Sequence, residues 1–426
     1  MAEEKLAARY DIGMNYLDSD DRREQRHGVE IIGELAIDDY GPAQEMLGNL
    51  YRTGNHVPQN DDKALYWLDQ AVQNGQVSAL VEIGKVYLYN DNDADDAKAV
   101  SFVREAAGKG DWNGELCLGD CYYYGYGIDK DEFEAAKWYR KAAEQGQPYA
   151  QFNLGRMVLR GEGPRHDEGE GIQLITKAAE YGLADAQDFL GDYYNYRKND
   201  ADKAVDWYVK AAQQGVANAQ TELGLLCHSG EGVKQDDELA VQCFTDAADQ
   251  GDARAMYYLS VHYMNGVGVA EDFDKGWDLL TKAADKGNIS ALNDLGDRYL
   301  SAADDDETSK KDQTEFYETA AQCFMDAAKQ DDARAIWRLG WMHIHGQYFA
   351  ADEKAGFALF MKAAKDDFSP AQVAVGICYV EGIGVERNKN EAIYWYKRAA
   401  DQGDEEAVEY LEDISPSDAA YYKRRR

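Results

Sequence analysis

Apolar side chains recur along this chain at helical spacing. In residues 148–160 they fall three or four positions apart, at Ala150, Leu154, Met157 and Val158. This spacing predicts an amphipathic helix that begins at Pro148, where a missing N–H costs nothing. A Gly-rich break follows, and a second helix closes on the pair Ala178-Ala179 before Gly182, a residue suited to a helix C-cap. Each such unit is predicted to be an antiparallel hairpin of two helices.

The same unit recurs along almost the whole chain. The first Ala of each closing pair falls at 106, 142, 178, 211, 247, 283, 327, 363 and 399. Most steps are therefore 36 residues, with one of 33 and one of 44. A fixed period of this size is typical of a solenoid, in which each repeat packs only against its neighbours. We therefore predict an all-α solenoid of about eleven helix-turn-helix repeats of about 36 residues.

Glycines mark two positions of the unit. One recurs inside the first helix, at Gly48, Gly84, Gly119, Gly155, Gly191, Gly224, Gly296, Gly340 and Gly376. Because Gly costs about 1 kcal/mol relative to Ala inside a helix, close helix approach is the expected reason. The other is a Gly-x-Gly turn such as Gly161/Gly163. A dinucleotide-binding loop would have to follow a strand, so turn geometry explains these pairs better.

The repeat pattern divides the chain into three parts. Residues 1–41 read as a degenerate capping repeat, 42–403 as the array, and 404–426 as a capping helix with a short basic tail. The tail, 421–426, is expected to be disordered. The step of 44 residues places an eight-residue insertion near 301–318, either as a longer loop or as an extended second helix.

The net charge of the chain limits the classes of partner that we expect. The formal charge of −35 and pI near 4.5 argue against binding nucleic acid, which needs clustered Lys and Arg, and against an anionic membrane surface. A basic protein partner fits the sign, although the acid could equally be solvated surface. Without an apolar run near 18 residues or a signal-peptide pattern in 1–10, the chain is expected to be cytosolic.

Candidate chemistry is sparse. Cys117 and Cys121 share a helix face, but no second pair completes a metal site, so buried reduced thiols are expected. The stretch beginning at Asp91 lacks the Gly and Glu of a calcium loop. His343 and His345 are two apart and point to different faces of a helix. With no nucleophile elbow, HExxH or P-loop, we predict no catalytic residue, cofactor or metal, and no enzymatic activity.

The combined pattern resembles a known family. It reads Ala-x-Gln-x-x-Leu-Gly-x-x-Tyr, then Gly-x-Gly-Val, then Lys-Ala-x-x-Trp-Tyr-x-Lys-Ala-Ala-x-x-Gly. Over about residues 5–411 it is similar to the Sel-1-like repeats, relatives of the tetratricopeptide repeats. The resemblance implies a right-handed superhelix that acts as an adaptor or scaffold. Secreted members carry a Cys pair at the positions of Ala143 and Gln151, and its absence here agrees with a reducing compartment.

The concave face of such a superhelix is the expected contact surface. Its exposed positions flank the Leu-Gly pair of each first helix. The predicted partner-binding residues are Asp120, Phe152, Arg156, Asp188, Asp192, Tyr257, Asp297, Trp337 and Trp341. Aromatic residues are enriched in binding hot spots, so Tyr257, Trp337 and Trp341 are predicted to form an apolar anchor. The alternative is that the superhelix buries these rings.

These observations favour a non-enzymatic adaptor that binds a basic protein or peptide in its concave groove. The main alternative is a signalling or immunity-type protein that neutralises a basic toxin or nuclease. A hydrolase is a remote alternative, because no catalytic constellation supports it. The oligomeric state is not predicted.

Overall fold

The structure is a computed structural model that describes residues 2–88, 93–163, 166–305 and 308–425. Every regular element in these ranges is helical, so the predicted all-α fold class is confirmed. Asp91, where the rejected calcium loop would begin, lies outside the described residues, as do Asp306 and Glu307 of the insertion. The chain divides into two compact units, residues 1–198 and 199–426.

Unit 1 consists of five helical hairpins followed by one helix. Its helices are α1 Ala2–Leu17, α2 Arg22–Ile37, α3 Gly41–Thr53, α4 Asp61–Gln73, α5 Ser78–Leu88, α6 Asp93–Gly108, α7 Trp112–Tyr124, α8 Glu132–Glu144, α9 Pro148–Arg160, α10 Glu168–Glu180 and α11 Ala184–Asp192. A π-helical turn, Tyr193–Arg197, extends α11. Consecutive helices pack on each other, and the first helices of adjacent hairpins also touch, as α3, α5 and α7 do.

Unit 2 consists of one helix followed by six hairpins. Its helices are α12 Ala201–Gln213, α13 Ala217–Ser229, α14 Asp237–Asp249, α15 Ala253–Asn265, α16 Phe273–Asp285, α17 Ile289–Ala303, α18 Lys310–Ala328, α19 Ala333–His345, α20 Glu353–Lys365, α21 Ser369–Glu381, α22 Lys389–Asp401, α23 Glu405–Ile414 and α24 Pro416–Arg425. Most are 13 residues long, which reflects the constant repeat length.

The glycine inside the first helix permits the close contact that the sequence predicted. A Cβ added to Gly376 of α21 would lie 2.4 Å from Cε1 of Tyr396 in α22. One added to Gly224 of α13 would lie 2.6 Å from Cε1 of Phe244 in α14. Both rings are fully buried, so the missing side chain leaves the space that an aromatic ring of the second helix occupies.

A buried glutamine joins one hairpin to the preceding one. Gln372 is fully buried, and its Nε2 donates to Ala364 O of the preceding hairpin at 3.2 Å. Its Oε1 accepts from Nε2 of Gln402 at 2.9 Å. Gln220 and Gln250 repeat the arrangement, with Gln220 donating to Ala212 O. The Gln of the repeated Ala-x-Gln motif is therefore a connector between neighbours, and its burial is possible because its amide is paired.

Two regions settle questions that the sequence left open. The insertion mainly lengthens helices, because α18 spans 19 residues and α17 spans 15. At the carboxyl end, the expectation of a disordered tail was wrong for the described residues up to Arg425, which form part of α24. Tyr422 is buried there and donates to Asp401 Oδ1 at 2.9 Å, so apolar contact and a hydrogen bond hold the helix in place.

Candidate functional site

The structure places five of the predicted contact residues in unit 1. Asp120 lies on α7, Phe152 and Arg156 on α9, and Asp188 and Asp192 on α11. Arg156 and Asp192 line the same pocket, which has a volume of about 390 Å³. Its wall also includes residues that the sequence analysis did not select, among them Arg160, Phe189, Tyr193, Tyr196 and Arg197. We call this cavity the α9–α11 pocket.

The π-helical turn gives the pocket its shape. Most first helices end at a left-handed glycine, as α9 does at Gly161, with φ of 72°. In α11 the helix instead widens into the turn Tyr193–Arg197, which supplies three of the pocket residues. Such π-helical turns often mark functional sites, because the extra residue moves side chains out of the regular register. The turn occurs in the repeat whose step is only 33 residues.

Arginine dominates the charge of the α9–α11 pocket. Within the described residues, neither Arg156 nor Arg197 forms an ion pair. The Arg156 guanidinium instead lies 5.3 Å from the centre of the Phe152 ring, a cation–π contact. Arg160 donates to the Tyr123 hydroxyl at 3.3 Å and lies 3.8 Å from Glu162. Two guanidinium groups therefore remain available for a ligand.

The acidic wall residue Glu168 is already compensated. It accepts a hydrogen bond of 2.6 Å from the Tyr193 hydroxyl and lies 2.9 Å from Nζ of Lys198. The Tyr193 hydrogen bond, followed by those of Lys198, lowers the pKa of Glu168. The negative charge of Glu168 is thus already paired with Lys198 and hydrogen-bonded to Tyr193. The lining carries three arginines against the two carboxylates of Glu168 and Asp192, so its formal charge is positive in a strongly acidic chain.

Two of the predicted contact residues have partners inside the fold. Asp120 accepts a hydrogen bond of 2.6 Å from the Tyr139 hydroxyl, and burial raises the pKa of Asp120. Phe152 is only 8% exposed and meets Phe189 edge to face, with ring centres 6.0 Å apart. Phe152 therefore supports the pocket wall from behind. As for Asp188 and Asp192, both are half-buried on α11.

The other predicted residues lie in unit 2, where the two tryptophans are half-buried on α19. Trp337 packs against Phe368, with ring centres 5.9 Å apart, and Trp341 packs against Phe360 at 5.4 Å. The rings are 6.4 Å apart and both contact the buried cluster formed by α19 to α22. They contribute to the core, and only part of each ring could meet a partner.

Asp297 and Tyr257 complete the set. Asp297 on α17 is an ion-pair partner of two arginines of α19, at 2.5 Å from Arg334 and 2.7 Å from Arg338. Tyr257 on α15 is half-buried and lines a cleft of about 330 Å³ together with His262. Unit 2 thus brings Asp297 next to α19, whereas Tyr257 faces a separate cleft.

Sequence reasoning missed most of the α9–α11 pocket because it selected only positions that flank the Leu-Gly pair. Tyr193, Tyr196 and Arg197 lie further along, at the end of the first helix. Two signals could have found them: the step of 33 residues, and the run Tyr-Tyr-Asn-Tyr-Arg, whose last residue, Arg197, stands where other repeats carry the first Gly of the turn. Three arginines near one turn are also unusual in so acidic a chain.

The pattern of the Sel1 repeat matches this chain in eight places. The matched residues are 41–76, 116–147, 148–182, 184–216, 217–252, 253–288, 333–368 and 369–404. These segments cover well over half of the chain and include both walls of the α9–α11 pocket. The resemblance inferred from the repeated motif is confirmed.

A solved structure agrees with this assignment. The fold is similar to that of c5321, described as a protective antigen present in uropathogenic Escherichia coli strains and displaying an SLR fold. The two chains are 27% identical, the similarity covers 99% of this chain and 95% of c5321, and the TM-score is 0.73. A Sel1 repeat protein from Oxalobacter formigenes is also 27% identical, over 82% of this chain and 90% of that one, with a TM-score of 0.44.

Curated relatives match only a short segment. DAP3-binding cell death enhancer 1 of Rattus norvegicus is 38% identical over 69 residues, or 16% of this chain, and the Mus musculus protein is 36% identical over the same length. The chain spans only 14% of the length of either relative. In the described residues, none of the helices is both long enough and apolar enough to cross a membrane.

Proposed function

This chain belongs to the Sel1 repeat family, and we propose that it is a non-catalytic scaffold that anchors a partner protein in the α9–α11 pocket. Proteins of this family generally act through protein–protein contacts. The observation that carries the proposal is the pair Arg156 and Arg197, whose guanidinium groups line one cavity without an ion-pair partner among the described residues. Charges held in this way favour a ligand that supplies the counter-charge.

A carboxylate fits this pocket. Guanidinium groups bind carboxylates through paired, charge-assisted hydrogen bonds, which also fix the orientation of the ligand. Phe189, Tyr193 and Tyr196 supply an aromatic wall for an apolar side chain. A volume of about 390 Å³ lies near the lower end of the range for ligand pockets, so it suits one or two residues of a peptide. We propose that it binds a carboxyl-terminal residue with an apolar side chain.

The rest of the surface selects the partner by charge. A formal charge of −35 repels acidic proteins at long range and speeds the encounter with basic ones. A basic protein that ends in an apolar residue satisfies both conditions, because a single terminal carboxylate is compatible with a net positive charge. Attraction of this kind weakens as salt is added, since exposed charges are screened.

Affinity capture with matched variants tests this function. The double variant Arg156→Ala/Arg197→Ala removes both pocket guanidinium groups, whereas Arg22→Ala/Arg23→Ala removes the same charge from exposed positions in unit 1. Captured proteins are identified by mass spectrometry at low and at high salt. We expect the pocket variant to lose a basic partner that the wild type and the control retain. Equal recovery by both variants would place the anchor elsewhere.

A second contact region at Trp337 and Trp341, and a separate contact at Tyr257, remain part of the proposal. The exposed parts of these rings are suited to hot-spot contacts. Because both tryptophans also pack on Phe360 and Phe368, replacing them by Ala would open cavities in the core. Trp337→Phe and Trp341→Phe are therefore the variants to use. They should weaken capture of the partner while the thermal unfolding midpoint stays within a few degrees.

We propose that the scaffold works in the cytosol. All six cysteines are free thiols and five are buried, which suits a reducing compartment. Burial raises the pKa of Cys243 to about 12, so this thiol is not poised as a nucleophile. Neutralisation of a basic toxin or nuclease stays a prediction, and it would be favoured if the captured partner proved to be an enzyme that the chain inhibits. The hydrolase alternative has no support from the pocket chemistry described above.

A further inference from the structure

Three potential metal ligands lie close together in unit 2. They are not part of the α9–α11 pocket, which lies in unit 1. His228 lies near the end of α13, Asp237 begins α14, and His262 lies on α15. One ligand atom from each lies within 4.8 Å of the others. The imidazole rings of His228 and His262 are 4.8 Å apart and nearly perpendicular. The sequence predicted no metal, because these residues are separated by 9 and 25 positions and form no local motif.

A hydrogen bond fixes the tautomer of His262, so that its other ring nitrogen can bind a metal. Nδ1 of His262 is 2.8 Å from the carbonyl oxygen of Val267. A carbonyl oxygen can only accept, so Nδ1 carries the proton and Nε2 keeps a lone pair. Histidines that bind metals are commonly held in this way, by donating their other ring N–H to a carbonyl or carboxylate oxygen.

The side chains of the other two ligands, His228 and Asp237, have room to rotate. Nδ1 of His228 lies 2.6 Å from Oδ1 of Asp237, and the His228 side chain is 49% exposed. The ligand atoms of a tetrahedral zinc site are about 3.3 Å apart, given metal–ligand distances near 2.0–2.1 Å. Rotations of the exposed His228 and the half-buried Asp237 would bring the three atoms to that spacing around the fixed His262.

We propose that His228, Asp237 and His262 bind one divalent transition-metal ion of the Zn²⁺ type, with water as a fourth ligand. Two imidazoles and a carboxylate suit Zn²⁺ better than Mg²⁺ or Ca²⁺, which prefer oxygen ligands alone. Both histidines line the cleft of about 330 Å³ that Tyr257 borders, so the ion has a path from solvent. Because α13, α14 and α15 belong to two consecutive hairpins, the ion joins neighbouring repeats.

Hydrogen bonding within the fold is the competing explanation. His262 also packs against Phe244, with ring centres 5.4 Å apart, and the His228–Asp237 pair joins the end of α13 to the start of α14. These contacts would hold the cluster together without an ion. The two explanations differ in what ZnCl2 does to the purified full-length chain, and in whether the effect needs all three side chains.

Titration of the metal-free protein with ZnCl2, followed by isothermal calorimetry, separates the explanations. We expect one Zn²⁺ per chain with micromolar or tighter affinity, and a rise in the thermal unfolding midpoint. His228→Asn and Asp237→Asn should each lower the affinity at least about 10-fold. Since His228 is exposed, His228→Asn should fold as the wild type does, and circular dichroism checks this. Bound Co²⁺ should show the visible absorption bands of a tetrahedral site.

The control is a histidine beside a carboxylate for which the described residues offer no third ligand. Exposed His27 lies 3.4 Å from Glu30 in α2, so His27→Gln should leave the stoichiometric binding of Zn²⁺ unchanged. The proposal is overturned if the wild type binds no stoichiometric Zn²⁺ at about 100 μM. It is equally overturned if His228→Asn and Asp237→Asn bind the ion as tightly as the wild type, which would mean adventitious surface binding.

Discussion

Replacing Gln372 by Met should weaken the junction between two hairpins. Gln372 lies in α21, is fully buried, and takes part in three hydrogen bonds. Its Nε2 donates to Ala364 O and to Oδ1 of Asp367, both at 3.2 Å, and its Oε1 accepts from Gln402 at 2.9 Å. Met has nearly the same volume, so the substitution removes the polar contacts without opening a large cavity.

The size of the effect follows from those three bonds. A neutral hydrogen bond contributes about 0.5–1.5 kcal/mol net, and a buried group left unpaired costs about 1–3 kcal/mol. Ala364 O keeps a bond from the Asp366 N–H, and the exposed Gln402 amide can turn to water, so part of the loss is recovered. We expect Gln372→Met to cost about 1–3 kcal/mol, equivalent to a change of about 5- to 160-fold in an opening equilibrium.

Hydrogen exchange followed by mass spectrometry measures this locally. Because a repeat contacts only its neighbours, faster exchange should be confined to the hairpins that contain α20, α21 and α22. Gln242→Met is the matched control, since Gln242 is exposed on α14 and its amide donates to Asp246 of the same helix. It should change stability by less than about 0.5 kcal/mol. Unchanged exchange in α20 to α22 would refute the role given to the buried glutamine.

Two further predictions concern packing and pH. Gly376→Ala should lower the free energy of unfolding by about 1–3 kcal/mol in urea titrations, because its Cβ would overlap the Tyr396 ring. Gly33→Ala in α2 should raise it by up to about 1 kcal/mol, because the added Cβ would meet none of the described residues outside its own helix within 4 Å. Asp120→Asn should raise the thermal midpoint at pH 7, because burial raises the pKa of Asp120 in the folded protein. A carboxyl group with such a raised pKa makes the folded protein less stable as the pH rises above the unfolded-state pKa, near 4. The gain should shrink below pH 4, and a gain that is the same at pH 3 and pH 7 would contradict this origin.

The repeated hairpin could be predicted from sequence because a single copy suffices to identify it. The apolar spacing of 148–160 predicted α9, and the Ala pairs placed the remaining second helices in phase. Even the odd glycine inside the first helix had a physical explanation, which the ring of Tyr396 against Gly376 confirms. Local signals of this kind are repeated, so each copy supports the others.

The pocket could not be predicted in the same way, because it depends on one departure from the repeat. The π-helical turn Tyr193–Arg197 moves side chains out of the register used to choose contact residues. The repeat pattern also could not predict ion pairs within the fold. Asp297 was selected as a contact for a partner, but two arginines of α19 already form ion pairs with it. Which carboxylates are compensated depends on side chains about 40 positions away in the chain.

The most direct test of the account is binding of peptides that differ only at the carboxyl terminus. Basic peptides ending in an apolar residue are prepared with a free carboxylate and as the corresponding amides, and fluorescence anisotropy gives their affinities for the wild type and for Arg156→Ala/Arg197→Ala. We expect the free carboxylates to bind the wild type at least about 10-fold more tightly than the amides, and the variant to abolish this difference. Equal binding of acids and amides to the wild type would contradict a carboxylate anchor in the α9–α11 pocket.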